Sequence, residues 1–468
     1  MKPSLADAPQ TGGVPDRATL QAIQLQKLRG LLDRLLPANA FYARKWAALG
    51  PGLQLSSLAD FSERYPLTTK DEFVADQAAA PPYGTNLTFP RDRFVRCHQT
   101  SGSTGAPLRW LDTPESWSAM LDNWEEIFRA AGVGRQDRLF FAFSFGPFIG
   151  FWSAFESASR RGCFCFPAGS MNSEARLRSL LDQQCTVLFC TPTYALHLGT
   201  EAHAVGLDLA QSSIRLIITA GEPGGSIPAT RARLAKLWPG ARVFDHHGMT
   251  ESGPVTYECP AQPGVLHVLE TSFLAEVLEP GSTVRTQLGD SGELVLTTLE
   301  RVGSPLIRYR TGDLVKVAAK SPCVCGRYEM ALEGGIIGRA DDMVVVRGVN
   351  VFPGAVENII RGFKGVAEYR VTLSAPESMT ELAVQIEPAP ETPHPEVLAQ
   401  RLRCAFHTGL GLRIPVTLAP LGTLPRFEMK GRRWVRAENE PGSTIFRREP
   451  QPSSVGPHTA FGDVNSPD

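Results

Sequence analysis

One alternation restricts the fold more than any other feature of this chain. Between about Arg93 and Phe244, short apolar runs ("RLFFAFSF", "CTVLFCTP", "IRLIITAG") are separated by stretches of helical spacing, among them "PESWSAMLDNWEEIFRAAG" and "SEARLRSLLDQQ". Apolar runs of that length, bounded by turn residues, read as buried strands. Strand and helix in repetition imply an α/β layered domain with parallel strands. The span from about 265 to 335 differs. "HVLETSFLAEVLEP", "GELVLTTL" and "DLVKVAA" are strand-like, and "GDSGE" is a turn between two of them.

A boundary falls near "GGIIGRADDM". Beyond it, "MVVVRGVNVFPGAVENIIRGF" reads as strand, turn and helix. "VAEYRVTLSA" and "ELAVQIEPA" read as further strands, and "PEVLAQRLRCAFHTGL" as a helix. The expected fold class is α/β: a large N-terminal domain with a β-rich subdomain (16–340), then a small α+β domain (341–445). Residues 1–15 are Pro-, Gly- and Ala-rich, and 446–468 are Pro- and Ser-rich; both are expected to be disordered tails. Near the start, "RATLQAIQLQKLRGLLDRLLP" reads as an amphipathic helix ending at Pro37. "PLTTKDEFVAD" places Thr68 or Thr69 as a helix cap, with acidic residues in the first turn.

Charge narrows the function. Lys and Arg total 47 against 48 Asp and Glu, so no global electrostatic case exists for nucleic acid or membrane binding. No apolar run approaches the ~20 residues that span a bilayer. The first residues hold no apolar signal core, and a cytoplasmic protein is the expectation. Nine cysteines, an odd number scattered through 468 residues, argue for reduced thiols. Cys97, Cys163, Cys165, Cys185, Cys190 and Cys404 lie in apolar strands or a helix and are expected in the core.

Candidate chemistry centres on "CHQTSGSTGAPLRW" (97–110). A loop of Gly, Ser and Thr exposes backbone N–H groups and adds hydroxyl donors, a combination that wraps phosphate oxygens. It matches neither G-x-x-x-x-G-K-[ST] nor G-x-G-x-x-G, and taken alone it reads as a flexible surface turn rather than a phosphate site. Three further segments add weight. "FDHHGMTESGP" (244–254) groups Asp245, Thr250 and Glu251, oxygen donors of the kind Mg²⁺ prefers. "IRYRTGDLV" (307–315) puts Asp313 on a tight turn, suited to two ribose hydroxyls or to plain turn duty. "LPRFEMKGRRWVR" (424–436) holds one lysine among arginines, a short charge run that is often only a solvated face.

In this order and spacing the segments resemble the adenylate-forming superfamily of acyl-CoA synthetases, and most closely its phenylacetate–CoA ligase branch, over roughly residues 30 to 440. "TSGSTGAP" is similar to the family's phosphate loop, "HHGMTE" to its Y-G-x-T-E segment and "YRTGD" to its ribose motif. "GRADDMVVVRGVNVFPGAVE" resembles the hinge and thiolation segment, and "FPAGS", "TPTYAL", "FYARKW" and "PLTTKDEF" also resemble that branch.

The resemblance implies an enzyme that forms an acyl-adenylate from a carboxylic acid and MgATP, then passes the acyl group to the thiol of CoA. Adenylation turns a poor electrophile into a mixed anhydride with AMP as leaving group, and charge at phosphorus must be stabilised meanwhile. By resemblance, Thr100, Ser101, Gly102, Ser103, Thr104 and Gly105 hold the β- and γ-phosphates; Thr250 meets the α-phosphate, and Glu251 holds Mg²⁺. Asp313 takes the ribose, Gly221, Glu222, Pro223 and Asp245 line the adenine pocket, and Arg339 sits on the nucleotide. Lys430 is the catalytic lysine, a mobile point charge. Asp341 is the hinge of a mobile small domain, and Arg347–Gly348 form the turn that approaches the thiol arm.

The chain departs from the family pattern in places. His247 stands where the family has Tyr, "EPGGSIPATR" carries two glycines after "EP", and "LETS" replaces a more acidic pair. Cys323 and Cys325 of "CVCGR", with Cys259 and His267 of "YECPAQPGVLHV", suffice for a tetrahedral structural Zn²⁺; some members of the branch carry zinc at equivalent places, and four unmetallated residues are the alternative. In "FSFGPFIGFW" (143–152), Phe145, Gly146 and Phe151 are candidate walls for a flat aryl acid such as phenylacetate, though an aromatic stripe is more often core. Two rivals stand beside the ligase: an adenylating enzyme with a carrier-protein or amine acceptor, and a non-catalytic nucleotide-binding homologue. Expected partners are the acid, ATP and CoA, with a homodimer as the one macromolecular assembly and neither nucleic acid nor membrane.

Overall fold

The computed structural model describes residues 14–36, 38–49, 55–100, 107–340, 342, 344–347, 349–374, 380–427 and 433–437. Ser101, Gly102, Ser103, Thr104, Gly105, Asp341, Gly348 and Lys430 lie outside the described residues, as do nearly all of the two tails.

The chain opens with α1 (Arg17–Leu35), which starts where Asp16 accepts a hydrogen bond from the Thr19 N–H and buries Leu20, Leu28, Leu31, Leu32 and Leu35. After α2 (Ala40–Lys45) and α3 (Leu58–Arg64) comes α4 (Lys70–Ala79). Thr69 and Glu72 form a reciprocal capping box at its start, as the sequence foretells. Next, β1 (Arg96–Gln99) and β2 (Arg109–Asp112) form an antiparallel hairpin, registered from Arg96↔Asp112 to Gln99↔Arg109. Helix α5 (Pro114–Ala131) follows, capped by Thr113 and stopped by Gly132 at φ 68°.

The alternating region then builds a sheet: β3 (Arg138–Phe141), α6 (Trp152–Arg161), β4 (Phe164–Pro167), α7 (Ser173–Asp182), β5 (Val187–Cys190), α8 (Pro192–Ala204), β6 (Leu216–Thr219), α9 (Pro228–Leu237) and β7 (Arg242–Asp245). Its order is β4-β3-β5-β6-β7, and every pairing is parallel. All four residues of β5 and of β6 are buried, which explains their unbroken apolar sequence. The chain runs from β3 outward to β4 and returns across β3 to β5. That reversal opens a crevice at the carboxyl ends of β3 and β5, where ligands of open α/β sheets sit. The run "RLFFAFSF" is strand only to Phe141; Phe143 and Phe145 lie past its end, in the turn that Phe145 makes at φ 46°.

A two-stranded ribbon, β8 (Gly248–Met249) and β9 (Gly253–Pro254), leads into the β-rich region: β10 (Thr256–Glu258), β11 (Val265–Val268), β12 (Phe273–Leu278), β13 (Ser291–Thr298), β14 (Tyr309–Val317) and β15 (Ala331–Arg339). These six form one antiparallel sheet, ordered β10-β11-β15-β14-β13-β12. Its inner face shares a core with the parallel sheet, where Leu294, Leu296 and Val315 meet Phe189, Ile218 and Phe244.

The remainder packs around a separate core. Elements β16 (Val344–Val346), β17 (Val349–Val351), α10 (Pro353–Arg361), β18 (Val366–Ser374), β19 (Glu381–Pro388), α11 (Pro395–Leu410), β20 (Val416–Leu418) and β21 (Trp434–Arg436) enclose Val356, Ile360, Val371, Val384, Leu402 and Phe406. The sheet order is β20-β19-β18-β21. This unit sits against α9 of the large domain through α10.

All nine cysteines are free. Cys163, Cys185 and Cys190 are core residues as expected, and Cys165 is half-buried, but Cys97 and Cys404 are exposed. Cys97 faces outward from β1, where only His98 is well buried, and Cys404 lies between Leu402 and Phe406 on the solvent side of α11. Among the described residues, no helix is long and apolar enough to cross a membrane.

Candidate active site

The Ser/Gly/Thr loop joins β1 to β2, and its base is closed by Thr100. The Thr100 N–H donates to the Leu108 carbonyl at 2.9 Å, and the Thr100 hydroxyl accepts from the Leu108 N–H at 3.0 Å. The Gln99 N–H donates to the Pro147 carbonyl at 2.9 Å, holding the hairpin beside the Gly146–Pro147 turn that follows β3. Two strands therefore flank the loop in the chain.

Asp313 is the central residue of strand β14, not on a tight turn as expected, and lies opposite Arg339 on β15. Gly312 supplies a positive φ of 74° where the β13–β14 register shifts, and the Asp313 N–H is tied to the Thr311 hydroxyl at 3.0 Å. Arg339 Nη1 stands 3.0 Å from Asp313 Oδ1, and His247 Nε2 stands 3.2 Å from Asp313 Oδ2. Burial alone would raise this carboxyl; His247 and Arg339 outweigh burial and hold it below the usual carboxylate range. Oδ2 and His247 Nε2 are nevertheless misaligned and make no hydrogen bond, although both atoms are buried.

Thr250 and Glu251 occupy the turn between β8 and β9. Two contacts fix this segment from outside. His247 is held through its N–H to the Thr256 hydroxyl at 2.9 Å. The carbonyls of Thr250 and Glu251 both accept from Arg301 Nη1, at 2.8 and 2.6 Å. Arg301 escaped the sequence reading. It falls in no motif, and its partner Asp112 is 189 positions away. Neighbouring His246 also escaped: it is buried, its Nδ1 lies 2.8 Å from the Thr256 carbonyl oxygen, and its ring stands edge-on to Trp124. Burial lowers its pKa to about 4 and keeps it neutral.

Gly221, Glu222 and Pro223 follow β6 and face outward, with Glu222 Oε1 accepting the Thr193 N–H at the start of α8 at 2.8 Å. Asp245 lies beneath this loop. Its carboxylate accepts from Ser226 Oγ at 2.5 Å and Thr219 Oγ1 at 3.1 Å, and burial raises its pKa. The paired glycines after "EP" are steric necessities. A Cβ on Gly225 would lie 2.2 Å from Asp245 Oδ1 and from Thr219 Oγ1, and one on Gly224 would lie 2.7 Å from Pro192.

With this geometry in place, comparison with known proteins is decisive. The profile of the AMP-binding enzyme family matches residues 62–296, half of the chain, and that of the AMP-binding enzyme C-terminal domain matches 348–436. The chain belongs to the AMP-binding enzyme family. It is 31% identical to a phenylacetate–coenzyme A ligase of Aromatoleum evansii, over 85% of this chain and 89% of that one. It is 29% identical to the phenylacetate–coenzyme A ligase of Pseudomonas putida, over 91% and 95%. The structure superposes on a 2-hydroxyisobutyryl-CoA ligase in the postadenylation state, in complex with 2-HIB-AMP, with a TM-score of 0.86, 26% identity and coverage of 93% and 95%.

The same ligase in its thioesterification state, with the same coverage, gives a TM-score of 0.69. Since the compared protein is the same, the drop reflects domain arrangement, and this AMP-binding enzyme has its small domain docked as in the postadenylation state. Polar contacts join the two domains. Arg233 Nη1 of α9 donates to the Val366 carbonyl at 3.1 Å, and Arg433 Nη1 reaches Thr193 Oγ1 at 3.4 Å. Lys236 of α9 faces Lys364 of the small domain, and the neighbouring ammonium lowers the Lys236 pKa. Arg347, at φ 50°, pairs with Glu381 at 2.7 Å within the small domain.

Beyond the nucleotide side lie the aromatic candidates. Phe145 stacks within 4.0 Å of Phe143 and meets Trp152 edge-on at 4.8 Å, while the Gly146 carbonyl accepts from Trp152 Nε1 at 3.0 Å. Phe151 is placed in the core against Phe189 and Trp124. Phe145 and Gly146 therefore stand at the crevice, with Phe151 packed behind them.

Cys259, His267, Cys323 and Cys325 come together. Their ligand atoms lie within 4.8 Å of one another, with Cys259 Sγ 3.8 Å from Cys323 Sγ and Cys325 Sγ 3.3 Å from His267 Nε2. Zn–S bonds of about 2.3 Å in a tetrahedron place sulfurs about 3.8 Å apart. Burial lowers the His267 pKa to about 4, leaving the neutral imidazole that a metal binds. Three of the four are buried, and they link β10 and β11 to the loop between β14 and β15.

Proposed function

We propose that this chain is an ATP-dependent, AMP-forming acid–coenzyme A ligase whose acid is an aryl carboxylate such as phenylacetate. The observation that carries this reading is the buried Asp313 Oδ2, without a hydrogen-bond partner, beside His247 and Arg339. Ribose hydroxyls would satisfy that oxygen and His247 Nε2 together. Thr100 and the loop 101–105 take the β- and γ-phosphates, and Thr250 takes the α-phosphate. The Glu251 carboxylate is a fitting oxygen ligand for Mg²⁺, which neutralises phosphate charge when bound. Gly221, Glu222 and Pro223 border the adenine, and Asp245 shapes that loop from below. Lys430 neutralises charge during adenylation. The small domain then turns about Asp341 to bring Arg347 and Gly348 to the thiol. Phe145 and Gly146 border the acid. The cysteine–histidine quartet holds a structural zinc, and the chain works in the cytoplasm, where its free thiols are stable, as a homodimer that light scattering would register.

Pyrophosphate release from MgATP across a panel of aryl and alkyl acids, with and without CoA, tests the reading. Release that depends on aryl acids and ends in a CoA thioester is the expected result. Acid-dependent release without thioester moves the acceptor to a carrier protein or an amine. No release with any acid, together with retained ATP binding, leaves a non-catalytic homologue.

A further inference from the structure

We propose that Arg301 and Asp112 form a positioning pair that holds the phosphate loop and the Thr250–Glu251 turn in register. The inference rests on the ligase reading for what those two segments bind. Asp112 is the last residue of β2, the strand that returns from the phosphate loop. Arg301 Nε and Nη2 each donate to one Asp112 oxygen at 2.7 Å, a bidentate fork. The remaining arm, Nη1, is spent on the carbonyls of Thr250 and Glu251. One planar group thereby joins the two segments that must grip opposite ends of one triphosphate. Its side chain is 3% exposed and that of Asp112 is 0% exposed, so solvent replaces none of these bonds.

The ribbon that carries the turn is short. β8 and β9 pair at two positions only, Gly248↔Pro254 and Met249↔Gly253. Arg301 itself is fixed by its neighbours: a Cβ on Gly303 would lie 2.9 Å from Phe94 and 3.2 Å from Thr113, and the Gly303 N–H donates to Ser116 Oγ at 3.3 Å. A buried ion pair is weak evidence for stability, but it is well suited to specifying one geometry. Mg²⁺ tolerates little departure from its octahedral distances, and a misplacement of about 1 Å is worth roughly 10² in rate. Lysine cannot replace this arginine, because a single ammonium lacks the fork.

The test uses the full-length protein and three variants: Arg301→Lys, Asp112→Asn, and Arg301→Met combined with Asp112→Asn, which leaves no unpaired buried charge. Acid-dependent pyrophosphate release, its Mg²⁺ dependence, thioester formation from supplied acyl-adenylate, and melting temperature are read for each. Arg301→Lys is expected to slow pyrophosphate release about 100-fold and to raise the Mg²⁺ requirement, with thioester formation within about threefold of wild type. The double variant should melt near wild type and show the same split. Pyrophosphate release and Mg²⁺ dependence within about twofold of wild type in Arg301→Lys overturn the proposal, as does a parallel fall of both half-reactions with melting temperature. If the wild type releases no pyrophosphate with any acid, it is the ligase reading that has failed. Hydrogen exchange without nucleotide then decides the pairing: faster exchange at both 95–112 and 248–254 in Arg301→Lys supports it, and unchanged exchange removes it.

Discussion

Two buried arginines show how differently the two halves of this enzyme are held. Arg301 works inside the large domain and spends its hydrogen bonds on Asp112, Thr250 and Glu251, all within that domain. Arg433 forms a similar fork, with Glu368 at 2.7 and 3.1 Å, but both partners belong to the small domain. Its Nη1 reaches the large domain at Thr193 Oγ1, 3.4 Å away. Close by, burial and the charges of Arg361 and Arg433 lower the Arg233 pKa to about 10. Satisfied charge fixes the phosphate side, whereas like charges crowd the contact between domains. A tightly tied site and a contact suited to the proposed turning of the small domain follow from the same chemistry, spent within one body or across two.

The comparison breaks most visibly at Lys430. Lys430→Ala is expected to slow pyrophosphate release about 10² to 10³-fold, the usual loss for one charge-stabilising donor, and to spare thioester formation from supplied acyl-adenylate. Equal loss in both half-reactions would remove the lysine from its assigned step. The cysteine–histidine quartet belongs to the large domain. One zinc per chain by elemental analysis is expected, and Cys323→Ser should release it and lower the melting temperature by several degrees, with the ratio of half-reaction rates unchanged. A metal-free protein of undiminished stability would make the quartet four unmetallated residues.

A smaller effect comes from buried neutral histidines of the large domain. Burial lowers the pKa of His98 to about 4, as it does for His246. Between pH 6.5 and 4 the unfolded chain takes up protons at these positions and the folded chain does not. Stability therefore falls as pH drops through that window and levels off below it for these two groups. Phenylalanine at position 98 should flatten the denaturation curve there; an unchanged slope would show that His98 contributes none of it. The smallest effect is expected at the interface. Thr193→Val removes one weak contact and should slow pyrophosphate release about twofold without altering the melting temperature. A tenfold loss would make the interface as tightly specified as the site.

Much of this architecture is legible in the chain. The four-residue runs of β5 and β6 are apolar throughout because both faces are covered, and Thr69 with Glu72 announces α4 in full. Motif residues Asp313, Arg339 and the 247–251 segment are local signals, and the fold draws them together. Less legible are features that depend on distant partners. Arg301 looks like any loop arginine until Asp112 is beside it, and Gly225 looks merely flexible until Asp245 is beneath it. Cys97 and Cys404 show the converse error, since an apolar neighbourhood in sequence does not decide which face a side chain takes. Phe151 resembles a pocket wall in sequence and packs as core for the same reason.

The meeting of Lys236 with Lys364 carries a consequence for the medium in which the enzyme works. Two ammonium groups facing each other across a surface seam repel over a distance comparable with the Debye length, about 8 Å at physiological ionic strength. Dissolved salt weakens that repulsion and leaves the other contacts of α9 with α10 in place. On the proposed turning of the small domain, ionic strength becomes a dial on domain occupancy: concentrated electrolyte should prolong the docked arrangement, and dilute buffer should hasten its release.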